Sequence, residues 1–379
     1  MDTRRTAARI QREIVLLCHT GHDTRALRVE VFQRLRALVP FDAYLCTTAD
    51  PATLLPTGAV TQDLPASLIP AIIANEYLAD DVNKFAHLAH RRQPVNSLYA
   101  AAHGRPEESV RYRDILTPMG FGNEVRAVLR ADGVCWGLMC LHRERCAPGF
   151  TTAEVTALAQ IAPHLAVGLR TALLRDDIAV APRDNGPGLV LLAEDLTIAA
   201  LSPAAEGLLA DLDDWPHGAA VSQTIRAVAH RLEALGHADN GDGASLPRVH
   251  VRARSGQWLV LHAARLMGPQ AAGQIAVTIE AARPVEVAPL ILQAYNLTER
   301  ETRVAQLVLQ GRATDEVVFE LSISALTVQQ HLKAIFDKTG VHSRRELVAR
   351  IFAQQYWPRV QMGARIAPDG FFAGDGADD

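Results

Sequence analysis

The stretch LTERETRVAQLVLQGRATDEVVFELSISALTVQQHLKAIFDKTGVHSRRELVARIF, Leu297 to Phe352, is punctuated as four helices. Thr298 and Glu301 stand at capping-box spacing, Val304, Ala305, Leu307 and Val308 give the first helix one apolar side, and Gly311 stops it. Thr314 is read as the cap of a second helix, with Asp315 and Glu316 in the first turn, where the helix dipole favours acids. Leu321 to Ser324 make a tight turn, and Ser324 caps the third helix. Along that helix Val328, Leu332, Ile335 and Phe336 fall on one side, while Leu326, Gln329, Gln330, Lys333 and Asp337 fall on the other. Ser343 and Glu346 cap a fourth helix that opens with Arg344 and Arg345.

A short helix, a tight turn and a second helix with a polar outer face is the geometry that seats a recognition helix in the DNA major groove. A glutamine can bond adenine N6 and N7 together, a lysine at position 333 reaches guanine or phosphate, and Thr327 near the helix N-terminus can donate to phosphate. The alternative is a solvated helix face. Lys333 and Lys338 are two of only three lysines in a chain with 38 Lys+Arg, which sets this face apart from the arginine-rich remainder.

Through LTERE, Gly311, ISALTVQQHLKAIFDKTGV and SRREL, this segment resembles the LuxR-type helix-turn-helix, also called the GerE domain. The resemblance implies that Gln329, Gln330 and Lys333 meet bases or nearby phosphates, and that Leu326 belongs to the same DNA-facing side. It further implies that Thr327, Lys338 and Arg344 lie near phosphate and that the fourth helix pairs subunits. Two departures bear on DNA: Gln329 stands where the family has a basic residue, and Ala313-Thr314 stands in place of Ser-Asn. Eight Lys/Arg face seven acids between Thr298 and Phe352, so binding should be modest, dimer-dependent and shallow in salt.

The chain of 379 residues exceeds a typical domain two- to threefold and predicts several domains. A net charge of -4 excludes holding nucleic acid by bulk positive charge, so any such site is local. Cys18, Cys46, Cys135, Cys140 and Cys146 are odd in number and sparse, the pattern of a reducing compartment. Cys135, Cys140, His142 and Cys146 crowd together without a CxxC pair, and the cysteines are read as ordinary buried thiols; no metal and no cofactor is assigned. The early apolar run IVLLC is too short for a signal peptide, and no uncharged run reaches the ~18 residues of a membrane span, so the expectation is a cytoplasmic protein.

Upstream, apolar periodicity predicts two helices between Thr3 and Val39, broken at HTGHD. DAYLCTT reads as a strand, Ala66–Tyr77 as a helix and HRRQPVNSL as part of a loop. EVRAVLRA and VCWGLMCLHR read as strands joined by Asp132–Gly133, a type I′ hairpin dipeptide. A long helix follows from Thr151 to Leu174, with Pro163 expected to kink it. The order is consistent with a GAF-like fold, which spacing alone does not separate from other α/β sandwiches, and the closing helix is a candidate dimer surface with burial against its own domain as the alternative. After a linker around Pro182–Gly188, LVLLAEDLTIAALS gives two strands and Ser202–Pro203 starts a helix; a second helix near Val221–Leu235 and three strands follow, the order of a PAS domain.

The expected fold is α+β and multi-domain. Residues 1–178 form the GAF-like domain, 186–283 the PAS-like antiparallel sheet domain, 290–354 the all-α, four-helix LuxR-type domain and 358–379 a disordered tail. Tyr44, Tyr77, Phe85, Trp136, Leu138 and His142 are candidate lining of a ligand cavity, with core packing as the alternative. The expected partners are double-stranded DNA, a second copy of the chain in a homodimer, a small-molecule effector and RNA polymerase, with no membrane. The combined reading is a one-component transcriptional regulator. An interaction adaptor whose helix-turn-helix has lost DNA binding is the alternative, and Gln329 is its best support. An enzyme is disfavoured because the sequence has no nucleophile elbow, HExxH or glycine-rich phosphate loop.

Overall fold

The computed structural model describes residues 2–174, 186–212, 221–237, 247–268 and 273–351. The expected tail and most of the Pro182–Gly188 linker lie outside those residues. The chain starts with α1 (Asp2–Cys18) and α2 (Thr24–Leu35), the second capped by Asp23, whose carboxylate accepts from the Arg25 and Ala26 amides. Then come β1 (Ala43–Ala49), β2 (Pro56–Gln62), α3 (Leu68–Leu78), α4 (Phe85–His90), β3 (Val95–Ser97), α5 (Leu98–Ala101), β4 (Phe121–Ala131), β5 (Val134–Glu144) and α6 (Thr152–Leu173). Asp132 and Gly133 both take positive φ, 53° and 83°, as a type I′ turn requires. The loop expected at HRRQPVNSL contains β3 and the start of α5; three residues are too few for a period-two pattern to register.

The first sheet is antiparallel in the order β2-β1-β5-β4-β3. One face is covered by α6 and α2, with α1 packed on both, and here Gly137 and Gly168 permit close approach. A Cβ on Gly137 would lie 2.5 Å from the Thr47 carbonyl, and one on Gly168 2.7 Å from Leu27. On the other face lie α3, α4 and α5. Helix α6 runs continuously through Pro163.

A second antiparallel sheet is built from β6 (Gly188–Leu192), β7 (Ile198–Leu201), β8 (Arg248–Arg252), β9 (Trp258–Arg265) and β10 (Ile275–Ala281), with α7 (Pro203–Ala210) and α8 (Gln223–His237) between β7 and β8. Its order, β7-β6-β10-β9-β8, is the same winding as the first sheet. Ser202 caps α7, and Pro203 occupies the first helical position. Burial alternates along β6 and β8, as in a sheet with one covered face. Helix α8 buries Ile225, Ala227, Val228 and Ala229 and packs on α3, so both sheets fall within one compact unit. Asp50 adds a polar tie: its buried carboxylate accepts from the His250 amide at 2.9 Å and lies 3.1 Å from the ring Nδ1.

The second compact unit contains α9 (Pro284–Ala294), α10 (Glu299–Leu309), α11 (Thr314–Leu321), α12 (Ala325–Thr339) and α13 over 344–351. Helix α9 adds a fifth helix to the four expected. Pro284 and Pro289 read as a break before the last domain. Pro284 instead takes the tolerated first position, and Val287, Ile291 and Leu292 join the core of the later helices, which outweighs the proline at 289. Among the described residues no helix is long and apolar enough to cross a membrane.

Candidate nucleic-acid interface and effector cavity

Helix α10 starts with the expected capping box: the Thr298 hydroxyl accepts from the Glu301 amide and Glu301 accepts from the Thr298 amide at 2.7 Å. The cap of α11 is shifted by one residue from expectation. Ala313 is the N-cap and Thr314 the first helical residue, because the Glu316 carboxylate satisfies the Ala313 amide at 2.7 Å. This frees the Thr314 hydroxyl to accept from Arg344 Nη2 at 3.1 Å, while Arg344 Nη1 donates to the Arg312 carbonyl. The turn after α11 passes through Ser322 in the left-handed region, φ 52°, and Ser324 caps α12 by accepting from the Thr327 amide. Gly340, φ 67°, ends α12.

Val328, Leu332 and Ile335 bury the inner side of α12 at 0–2 % exposure. On the outer side Leu326, Gln329, Gln330 and Lys333 are exposed, and none of these side chains is tied by a hydrogen bond to the described chain. Thr327 is half-buried, its hydroxyl 2.8 Å from that of Ser324. Lys338 is placed differently from the other cations: its ammonium donates to Glu301 at 2.7 Å and to the Asn296 carbonyl at 3.1 Å, clamping the end of α12 to the start of α10. Arg303 and Arg312 pair with Glu320 and Glu316. The polar stripe thus carries its positive charge on Lys333, with the exposed Asp337 one turn further on.

The first region holds a partly open cavity between its sheet and α3, α4 and α8. Tyr77 and Phe85 line it, together with Leu138, Ile72, Ile73 and Leu45. Its polar lining comes from Thr47, Glu76, Arg126 and Gln223. Tyr44 points to the opposite face, stacked on Phe32 with ring centroids 4.2 Å apart. Trp136 and His142 are buried but do not line the cavity. The charged lining was missed in the sequence, although Glu124 and Arg126 at alternate positions of a buried strand were a readable signal of a charged sheet face.

Those two residues belong to a buried network. Register sets Glu124 beside His142 and Arg126 beside Cys140. Glu124 accepts from Arg111 at 2.9–3.0 Å and from Arg126 at 3.1 Å; Arg126 also donates to Glu76 at 2.7 Å, and Arg111 to Asn75. Burial opposes ionisation of Glu124, yet the two guanidinium groups win and hold its pKa down at about 2. Donor atoms of Glu124, Cys140 and His142 lie within 4.8 Å of one another. The adjacent guanidinium groups repel a cation, and burial pushes the Cys140 thiol up to about 12, so the donor chemistry opposes a divalent metal there.

Among the described residues neither nitrogen of His142 has a hydrogen-bond partner, and burial lowers its pKa from 6.5 to about 4, with Glu124 opposing and Arg126 and Arg111 adding to the fall. A ring kept neutral in the fold but free to protonate when unfolded favours the unfolded chain as pH falls from 6.5 towards 4. His142→Leu should therefore raise stability by ~1–3 kcal/mol at pH 7 and by more at pH 5. Urea midpoints at the two pH values measure this, and an equal or lower midpoint for the variant would refute it.

A capped helix pair with a polar outward stripe defines a helix-turn-helix protein, here accompanied by an α/β region with an internal cavity. Residues 295–351 match the family of bacterial regulatory proteins, luxR family, and residues 23–169 match the GAF domain. The HTH-type transcriptional regulator MalT of Serratia proteamaculans (strain 568) is 33% identical over 76 residues, 20% of this chain and 8% of that protein. MalT of Yersinia pestis is 33% identical over 60 residues, 16% of this chain and 7% of that protein. The chain thus spans under a tenth of the length of these relatives. Among solved structures, Escherichia coli SdiA is 13% identical and covers 91% of this chain and 96% of its own, with a TM-score of 0.32. A phycoerythrobilin-bound GAF domain from a cyanobacterial phytochrome is 18% identical over 44% of this chain and 96% of its own, with a TM-score of 0.28. The chain carries a LuxR-family helix-turn-helix domain and a GAF domain.

Proposed function

We propose that the chain is a one-component transcriptional regulator that binds operator DNA as a homodimer through α12 and takes its input at the GAF cavity. The observation that carries this reading is the exposed stripe of Gln329, Gln330 and Lys333 on a helix pinned from behind by Val328, Leu332 and Ile335. In this reading Gln330 and Gln329 read adenine edges, Lys333 meets guanine or phosphate, and Leu326 offers an apolar contact to a thymine methyl. Thr327 and Arg344 sit near phosphate. Lys338 contributes mainly its field, since two of its three donors are already engaged. Residues 1–178, 186–283 and 290–354 act as GAF-like, PAS-like and DNA-binding domains, and transcription output follows from contact with RNA polymerase or its exclusion.

Fluorescence anisotropy with DNA from the protein's own upstream region, at two salt concentrations, tests the reading. Gln330→Ala should weaken binding to the preferred sequence by ~1–3 kcal/mol and relax discrimination at one base pair. Lys333→Ala should weaken all sequences alike and flatten the salt dependence by about one unit of slope. Binding no better than to random DNA, unchanged in both variants, would favour the adaptor reading. That reading draws on Phe319, 87 % exposed on α11, and Leu326, 71 % exposed, as apolar surface for a protein partner.

A further inference from the structure

The GAF cavity is almost wholly apolar, yet two of its lining residues carry buried polar atoms that nothing among the described residues satisfies: the Thr47 hydroxyl and Arg126 Nη2. Arg126 is fully buried, and the rest of its guanidinium is fixed by Glu124, Glu76 and the Phe85 ring 4.7 Å away. Orphaned donors of this kind cost stability unless an occupant accepts from them. With Thr47 on β1 and Arg126 on β4, an occupant here finds hydrogen-bond donors on the sheet and apolar contact from Ile72 and Phe85.

The charge around the cavity decides what kind of acceptor fits. Arg111 and Arg126 face Glu124, Glu76 and Asp81, and Arg231 acts on Tyr77 from α8, so three positive groups stand against three carboxylates. One Glu76 oxygen accepts from the Phe85 amide and the other from Arg126. Burial keeps His142 neutral and likewise pushes the Tyr77 phenol up, away from ionisation. The charges around the cavity are thus already balanced. A bound carboxylate would add an unbalanced negative charge where its desolvation is not repaid. A carbonyl or aromatic nitrogen takes the two donors without adding charge.

We propose that the GAF cavity binds a compact, neutral, mostly apolar molecule carrying one hydrogen-bond acceptor, held by Arg126 and Thr47. This rests on the reading of the cavity as the effector site and names its ligand class. An internal volume of about 40 Å³ is room for roughly three waters, which sets the scale of the buried part. Gln223, also in the lining, begins α8, and α8 packs on α3, so the occupant meets both sheet regions at once.

Saturation-transfer NMR on the full chain with three probes of similar size tests the class: cyclopentanone, cyclopropanecarboxylate and cyclopentane. Cyclopentanone should bind at least about tenfold more tightly than either of the others. Thr47→Val should cut its affinity about tenfold, and Leu138→Trp, which fills the cavity, should abolish it. Should the tryptophan variant fail to fold, the valine variant still decides. Equal or tighter binding of the carboxylate, unchanged binding in Thr47→Val, or no binding by any probe would overturn the proposal. Sequence-specific DNA binding by the same sample without probe is a separate readout, so loss of this inference leaves the regulator reading standing, and the reverse holds equally.

Discussion

Glu124→Ala should destabilise the unit containing both sheets by ~3–5 kcal/mol, because it removes the one carboxylate shared by two fully buried guanidinium groups. Arg111 would keep only Asp81, 3.8 Å away, and its bond to Asn75; Arg126 would keep Glu76. Glu124→Gln retains an acceptor but not the charge and should fall between wild type and alanine. The sign with pH follows from the depressed pKa. Glu124 stabilises fully above its unfolded value of 4.5 and loses that contribution as pH falls towards about 2, so wild type should lose more stability than Glu124→Gln over that interval. Urea unfolding followed by tryptophan fluorescence at pH 7, 4 and 3 measures both effects. An alanine midpoint indistinguishable from wild type at pH 7 would show that the network is not held as described.

Leu332→Ala should cost the helical unit ~2–5 kcal/mol and abolish operator binding with it, since Leu332 is 2 % exposed within the cluster that joins α12 to α9 and α10. Its neighbour Lys333 points outward, so Lys333→Ala should weaken DNA binding with the unfolding midpoint unchanged. Far-ultraviolet circular dichroism against temperature, paired with anisotropy on the same samples, separates the two. A stable Leu332→Ala protein that binds DNA normally would mean that the face assignment of α12 is inverted.

The adjacent pair Leu332 and Lys333 also shows why this part of the fold was readable. Helical periodicity needs only the spacing of apolar residues, and the Thr298–Glu301, Ser324 and Ser343–Glu346 caps are local bonds between near neighbours in sequence. The same holds for the Asp132–Gly133 hairpin and the Ser202 cap. Helix α9 was hidden because two prolines speak locally against it while the reasons for it, Val287, Ile291 and Leu292, depend on helices that follow. The Ala313 cap was hidden because the bond comes from the Glu316 side chain, so the residue at the cap itself carries no signal. At the cavity, Tyr77 and Phe85 were found as aromatic candidates, whereas the grouping of Thr47, Glu76, Arg126 and Gln223 depends on strand register and helix packing between residues far apart in sequence.

Both sheets place their first and last strands side by side, β1 against β5 and β6 against β10. On the ribosome this becomes a matter of timing. Thr48 waits for Gly137, and Gly188 for Ile279, each roughly 90 residues later, about 5–20 s at ordinary rates of synthesis. Through that interval β1, and later β6, presents an unpaired edge in the middle of an unfinished sheet, where another nascent chain can add instead. The shared winding makes this protein vulnerable twice during its own making, and slowing translation between the paired strands should lower its yield before it alters any property of the finished fold.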